Sequence, residues 1–295
     1  MATIAEQLTQ LQADKETLKT NLIDKEIEVL DTDTFTELSA KVADIQVGED
    51  LSEYIGGVIK GGSAESGWHS NFIKFPALAS EPNETTFAYM YSGCPATIID
   101  ISKLDWSKLQ GAISMFQSCK QLTTIIGLEN EIYAPELWSC QSMFSSCEKL
   151  VDIDLSKINI TTKLSNVVQM FMSCDSLESV NMSTWNLGGV TKVSNIFHRC
   201  TKLTNLQFGT NLGAAYDPNI VENYSYYSLD LSNLTLLTEE SLISVLNGLA
   251  DIKSLGVKTQ QCILGETNLA KLTSEAGQQA LAQAQAYGWT VSQEA

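Results

Sequence analysis

The chain has 295 residues, 44% of them apolar, which is ample for a core, and a net charge of −17 from 35 acidic against 18 basic side chains. That balance argues against nucleic acid and anionic membrane surfaces as partners. No apolar run reaches the roughly eighteen residues of a membrane helix, and Met1-Ala2-Thr3-Ile4-Ala5-Glu6 has no basic start with a hydrophobic run behind it, so neither membrane insertion nor a secretory signal is expected.

In chain order, Ile4, Leu8, Leu11, Leu18, Leu22 and Val29 alternate spacings of three and four if Lys15 and Lys25 are counted in the same stripe. Such a heptad-like seam predicts a helix that pairs with copies of itself, the alternative being an amphipathic helix packed on its own chain. Asp31-Thr32-Asp33 breaks it, and Thr34-Phe35-Thr36-Glu37 is a capping box for a second helix through Leu38, Val42 and Ile45. Residues 1–46 therefore read as a helical oligomerisation and attachment segment. Residues 47–67, with Gly48, Gly56-Gly57, Gly61-Gly62 and Gly67, have linker composition. Residues 68–86, with Pro76 and Pro82, are placed as the cap of the domain that fills 68–295.

Five copies of one signature follow: Met90-Tyr91-Ser92-Gly93-Cys94, Met115-Phe116-Gln117-Ser118-Cys119, Met143-Phe144-Ser145-Ser146-Cys147, Met170-Phe171-Met172-Ser173-Cys174 and Ile196-Phe197-His198-Arg199-Cys200. Their cysteines fall 25, 28, 27 and 26 residues apart, the period of a stacked coil. Behind them, Leu122, Leu150, Leu177 and Leu203 sit three residues on, and Ile125, Ile153, Val180 and Leu206 six on. Each unit predicts a short helix carrying Met-Phe, a turn and a strand, and one unit cannot bury its apolar edge alone. Phe116, Phe144, Phe171 and Phe197 are expected to form one internal column and the cysteines another. The second unit is blurred at Ile125-Ile126-Gly127-Leu128.

Residues 209–223 read as a loop, after which a strand returns at Tyr226-Tyr227-Ser228-Leu229-Asp230-Leu231. Thr238 is expected to cap a helix through Leu242, Val245, Leu246 and Leu249, Gln261-Cys262-Ile263-Leu264 to form a strand, and Thr273 to cap the last helix. The repeats thus span 87–232 and a C-terminal cap spans 233–295. The fold class expected is an α/β solenoid, a leucine-rich-repeat stack of short helices and parallel strands, preceded by the N-terminal helical segment.

The units resemble the BspA-type leucine-rich repeats of bacterial surface proteins and phage structural proteins, whose pattern is roughly "Met-Phe-x-x-Cys-x-x-Leu-x-x-Ile-x-Leu-Ser-x-Trp". Met182-Ser183-Thr184-Trp185 supplies even the serine and tryptophan. The opening 45 residues are similar to the N-terminal segments of phage tail and virion proteins. Together the resemblances imply a virion protein of tail-fibre or baseplate type, made in the host cytoplasm, in which residues 1–46 attach to other virion proteins and to copies of the chain, a homotrimer by analogy, while the heptad seam itself would allow a dimer. The repeat domain would then contact a host surface glycan or protein. A structural decoration or connector of the virion is the alternative, and a bacterial surface adhesin a third.

No catalytic constellation is legible, so no enzyme, cofactor or metal site is expected. His69 and His198 lie in dissimilar contexts, and the cysteines sit where packing requires them, as buried free thiols rather than zinc ligands or disulfides. Asp152 and Asp154 share a strand face, which solvated strands often show. Binding is the better expectation. Outward strand positions align in rows, Asp100, Ile126, Asp154, Asn181, Gln207 and Asp230 in one, Thr124, Asp152, Ser179, Asn205 and Ser228 in the next, and Thr123, Val151, Glu178, Thr204 and Tyr227 in a third. Asp152, Asp154, Glu178, Asn181, Asn205, Gln207, Tyr227 and Asp230 are the candidate binding residues, with Tyr216 and Tyr224 of the loop beside them. Trp106, Trp138 and Trp185 are placed in the core.

Overall fold

The computed structural model describes residues 74–75, 85–215 and 228–293. The chain divides into two units, residues 1–57 and 58–295, and every described residue belongs to the second. The N-terminal seam of Ile4, Leu8, Leu11, Leu18, Leu22 and Val29, the glycine linker, and Tyr216, Tyr224 and Tyr227 lie outside the described residues.

The strands are short: β1 (Lys74–Phe75), β2 (Ile98–Asp100), β3 (Thr124–Ile126), β4 (Ile132–Ala134), β5 (Asp152–Asp154), β6 (Ile158–Ile160), β7 (Ser179–Asn181), β8 (Asn205–Gln207), β9 (Leu229–Asp230), β10 (Gln261–Ile263) and β11 (Thr290–Ser292). All their pairings are parallel, as successive coils of a repeat require. The register puts Ile99 beside Ile125, and Ile153 beside Val180 beside Leu206. Those central residues are buried. β4 and β6 form a second, two-stranded layer that the sequence reading did not foresee.

The Met-aromatic segments are turns and not the short helices expected. Each carries two left-handed residues four apart: Tyr89 and Gly93, Ser114 and Ser118, Ser142 and Ser146, Gln169 and Ser173, Asn195 and Arg199, with φ between 53° and 73°. The reversals they make divide the backbone donors. The Ser114, Phe116 and Ser118 N–H groups donate to the Gln141, Met143 and Ser145 carbonyls of the next coil, whereas those of Met115, Gln117 and Cys119 donate three residues back. An α-helix would keep these bonds internal and leave none to join coils. The same alternation repeats from Ser142, Phe144 and Ser146 to Val168, Met170 and Met172, and again to Ser194, Ile196 and His198. A row of parallel bridges, Thr86 to Gly111 to Ser139 to Asn166 to Lys192, runs beside it.

Inside, the aromatic column stands as expected and begins one unit earlier, at Tyr91. Successive rings of Tyr91, Phe116, Phe144, Phe171 and Phe197 lie 5.4, 5.4, 5.3 and 5.5 Å apart and are near parallel. Beside it, the thiols of Cys119, Cys147, Cys174 and Cys200 donate to the carbonyls of Tyr91, Phe116, Phe144 and Phe171 at 2.9 to 3.2 Å. Burial pushes the thiols of Cys140, Cys147 and Cys262 up to about 12, so they stay protonated donors or inert apolar groups.

On the strand side the expected single ladder is interrupted twice, giving sheets β1-β2-β3, β5-β7-β8 and β11-β10-β9. After β8 the helix α1 (Glu239–Asn247) covers the open edge. The Ser241 and Ser244 hydroxyls accept from Leu206 and Phe208 N–H at 2.8 and 2.9 Å, and Ser241 donates to the Thr204 carbonyl. Thr238 caps α1 as expected, but Ser274, not Thr273, caps α3 (Glu275–Ala286), because its hydroxyl reaches Gly277 N–H. Between them, α2 (Glu266–Leu269) buries Asn268, whose amide donates to the carbonyls of Leu231, Leu234 and Leu264.

Candidate functional site: a cleft where the strand ladder opens

The first interruption, between β3 and β5, has a local cause. In regular coils the residue after the strand sends its N–H forward, as Ile101 does to Ile126, Leu155 to Asn181 and Met182 to Gln207. In the second unit that position is Gly127, at φ +106°, and its N–H donates instead to its own neighbour's carboxylate, Glu129 Oε2, at 2.8 Å. A Cβ on Gly127 would lie 2.8 Å from Ser102 N, so the chain hugs the preceding coil while turning from the following one. The aromatic rings of the two coils remain 5.4 Å apart on the other side, so the stack opens only along its strand face.

The result is a cleft of about 370 Å³ lined by Thr123, Thr124, Ile125, Leu128, Glu129, Leu150, Asp152, Ile153, Asp154 and Lys157. Its floor is apolar, from Ile125, Leu128, Leu150 and Ile153, each nearly buried. Its rim holds three carboxylates. Lys157 is the cation among these residues, and its Nζ is drawn 3.0 Å from Glu131 Oε1. Hydrogen bonds from Asn159 and Lys157 hold the Glu131 carboxyl below the usual range. Partial burial opposes ionisation of Asp154, yet bonds from Ser156 and Asn181 and the nearby Lys157 outweigh it and lower its carboxyl as well.

The candidate residues thus divide. Asp152 and Asp154 meet in the cleft, whereas Glu178, Asn205 and Gln207 are exposed along β7 and β8 outside it. The predicted rows are real where the ladder is intact: Asp152 registers with Ser179 and Asn205, and Asp154 with Asn181 and Gln207. Several of those side chains are engaged by their own turns, however. Asp154 Oδ1 accepts from Ser156 N–H at 2.8 Å, Asn181 Oδ1 from Ser183 at 3.2 Å and Asp230 Oδ1 from Ser232 at 2.9 Å. Asp152 has no such turn to cap. Trp185 and Trp106 are core as expected, with Trp185 Nε1 donating to the Leu155 carbonyl. Trp138 departs from that expectation at 44% exposed, and Tyr133, on the outer layer facing Asn159, is 64% exposed. The roles of Gly127 and Glu129 escaped the sequence reading, although the 28-residue spacing and the blurred unit mark the place.

Residues 136–226 match a family model described as "Mycoplasma protein of unknown function, DUF285". That match covers less than half of the chain, and within it the parallel, in-register strands are similar to the BspA-type leucine-rich repeats that the signatures resemble. A solved leucine-rich repeat protein of T. pallidum is similar over 52% of this chain and 82% of its own, with 19% identity and a TM-score of 0.28, too low for that likeness to carry weight. No curated protein matches the chain. The DUF285 match begins just ahead of the third signature and takes in the in-register strands β5, β7 and β8.

Proposed function

We propose that the protein is a recognition component of a phage virion, of tail-fibre or baseplate type, whose repeats stack as a solenoid that contacts a host surface glycan or protein. Residues 1–46 would attach the chain to other virion proteins and assemble it with its own copies, as a homotrimer. The observation that carries the recognition reading is the exposed strand face. Asp152, Ser179 and Asn205 stand in register one strand apart, and the exposed Glu178 and half-buried Thr204 side chains flank them on a backbone tied together on its opposite side. A stiff array of acceptors suits hydroxyl-rich or basic surfaces, and no step of bond chemistry is asked of it. The virion part of the reading rests on the N-terminal resemblance alone.

A structural decoration or connector role in the particle is the second reading, favoured by the tyrosine and tryptophan side chains exposed beside β4 and β6, which fit a protein contact. The full chain, fluorescently labelled, is presented to a panel of bacterial cells and a glycan array, and tested for inhibition of phage adsorption. Attachment predicts saturable binding to at least one surface and loss of adsorption. Absence of both, with the labelled chain instead binding purified particles, favours the connector.

A further inference from the structure

We propose that the cleft between β3 and β5 is a docking slot for an extended, cation-bearing peptide segment of a partner protein. The inference stands on the cleft and not on the virion reading. At the neighbouring intact step, Ser179 N–H donates to the Val151 carbonyl and Leu155 N–H to the Asn181 carbonyl. Their counterparts at the open step, Asp152 N–H with the Thr123 carbonyl and Gly127 N–H with the Asp154 carbonyl, are not formed. Asp152 N–H and the Thr123 and Asp154 carbonyls therefore face the cleft with no hydrogen-bond partner among the described residues. Two strand edges that face one another across a gap present donors and acceptors at peptide spacing, which a peptide backbone matches by adding a strand.

The side chains narrow the occupant further. The apolar floor of Ile125, Leu128, Leu150 and Ile153 accepts one face of an extended segment, and the rim of Glu129, Asp152 and Asp154 receives the other. Because successive side chains of a strand point to opposite faces, apolar residues alternating with Lys or Arg fit both. Lys157 offsets the rim only in part, since its ammonium is paired with Glu131 and acts on Asp154 alone among the three rim carboxylates. The chain's −17 charge favours encounter with such a segment at low salt.

The test selects linear twelve-residue peptides from a random displayed library on the full-length protein. Enriched sequences are expected to alternate apolar residues with Lys or Arg. A synthetic representative should bind at least tenfold more weakly to Asp152→Lys and a few-fold more weakly to Asp152→Asn, with binding unchanged by Asp175→Lys, an equal charge change on an exposed turn outside the cleft. N-methylation of alternate backbone nitrogens should abolish binding in one of the two phases. Circular dichroism melts establish that each variant is folded. No enrichment of cationic sequences, equal loss with Asp175→Lys, or tolerance of N-methylation in both phases overturns the proposal.

Discussion

The coils of residues 85–208 and those of residues 229–292 solve the same stacking problem with different covers. In the first region Ile153, Val180 and Leu206 repeat at 27 and 26 residues and the layer opposite the strands is a turn; in the second Leu229, Cys262 and Val291 repeat at 33 and 29, and α1 and α3 provide it. Helices satisfy their own backbone, so the helical coils are joined by strand pairing, by isolated backbone bonds such as Lys253 N–H on the Tyr287 carbonyl, and by a few side chains: Asn268 on three carbonyls, Trp289 Nε1 on the Ala250 carbonyl, Glu239 on Ser274 N–H. Turns send every second N–H to the next coil, which gives the first region two backbone ladders on opposite sides. The lesson is that one ladder can open where the other remains. The β3–β5 cleft lies in the region with two.

If the turn layer and its aromatic column hold the open step together, Phe144→Ala should have the largest effect. It removes the ring that touches both Phe116 and Phe171, at a cost of about 3 to 5 kcal/mol for a buried large-to-small change. Urea denaturation gives the number, and a loss below about 1 kcal/mol would break the comparison, because the column would then contribute little. Cys147→Ser is milder than the sequence alone implies. Burial alone would leave the new hydroxyl without a partner, but the Phe116 carbonyl already accepts from this position at 3.2 Å.

Next comes Asn268→Ala in the helical region, where three carbonyls lose the amide donor while those of Leu231 and Leu234 keep the N–H groups of Leu234 and Leu237. A buried group left unsatisfied costs about 1 to 3 kcal/mol, and with two of the three carbonyls still paired the loss is expected near 1 to 2 kcal/mol. Hydrogen exchange should show the loss concentrated in β9 and β10, with the amides of the Phe144 and Phe171 turns unchanged. Uniform loss across both regions would mean that the two covers fold as one unit.

Much of this architecture was legible because stacking imposes a period. The aromatic column, the strand register of Ile153, Val180 and Leu206, and the Thr238 cap of α1 follow from spacing and side-chain type. The turns were not legible because Met and aromatic neighbours followed four residues on by cysteine have helical spacing, while the deciding residues, Ser114, Ser142, Gln169 and Asn195 at positive φ, are of types that also occur in helices. The cleft was half legible. Asp152 and Asp154 stood out as paired carboxylates, but the opening depends on where one N–H points, and only the coordinates show Gly127 turned to Glu129. Likewise Asp154, Asn181 and Asp230 looked like free acceptors until their turns placed a serine N–H on each.

A smaller effect, of opposite sign, sharpens the account of the turns. Arg199 occupies the left-handed place that Gly93 fills in the first coil, at φ 68°, and its side chain is exposed. Relief of a left-handed residue is worth roughly 1 to 2 kcal/mol, of which glycine's extra freedom in the unfolded chain returns about 0.5 to 1. Arg199→Gly should therefore raise stability by up to about 1 kcal/mol, read as a higher melting temperature. A glycine placed in α1 or α3 should do the reverse, since a helix interior rewards neither freedom nor positive φ.

The smallest effect asks whether the turn after the strand needs a charge or only an acceptor. Asp154→Asn keeps an oxygen for Ser156 N–H, as Asn181 does for Ser183 in the next coil, and removes the charge near Lys157. The Asp154 carboxyl titrates below its ordinary value in the folded protein, so its ionic contribution is present above the unfolded value of 3.8 and is lost as the pH falls through the lower folded value. The group is largely exposed, and solvent screening limits that contribution to about 0.5 kcal/mol. At pH 7 the parent should be more stable by about that margin, and the two denaturation midpoints should converge as the pH is taken down past 3.8. A gap that persists unchanged at pH 2 to 3 would assign the difference to the amide's geometry in the turn, leaving the charge free for whatever the cleft receives.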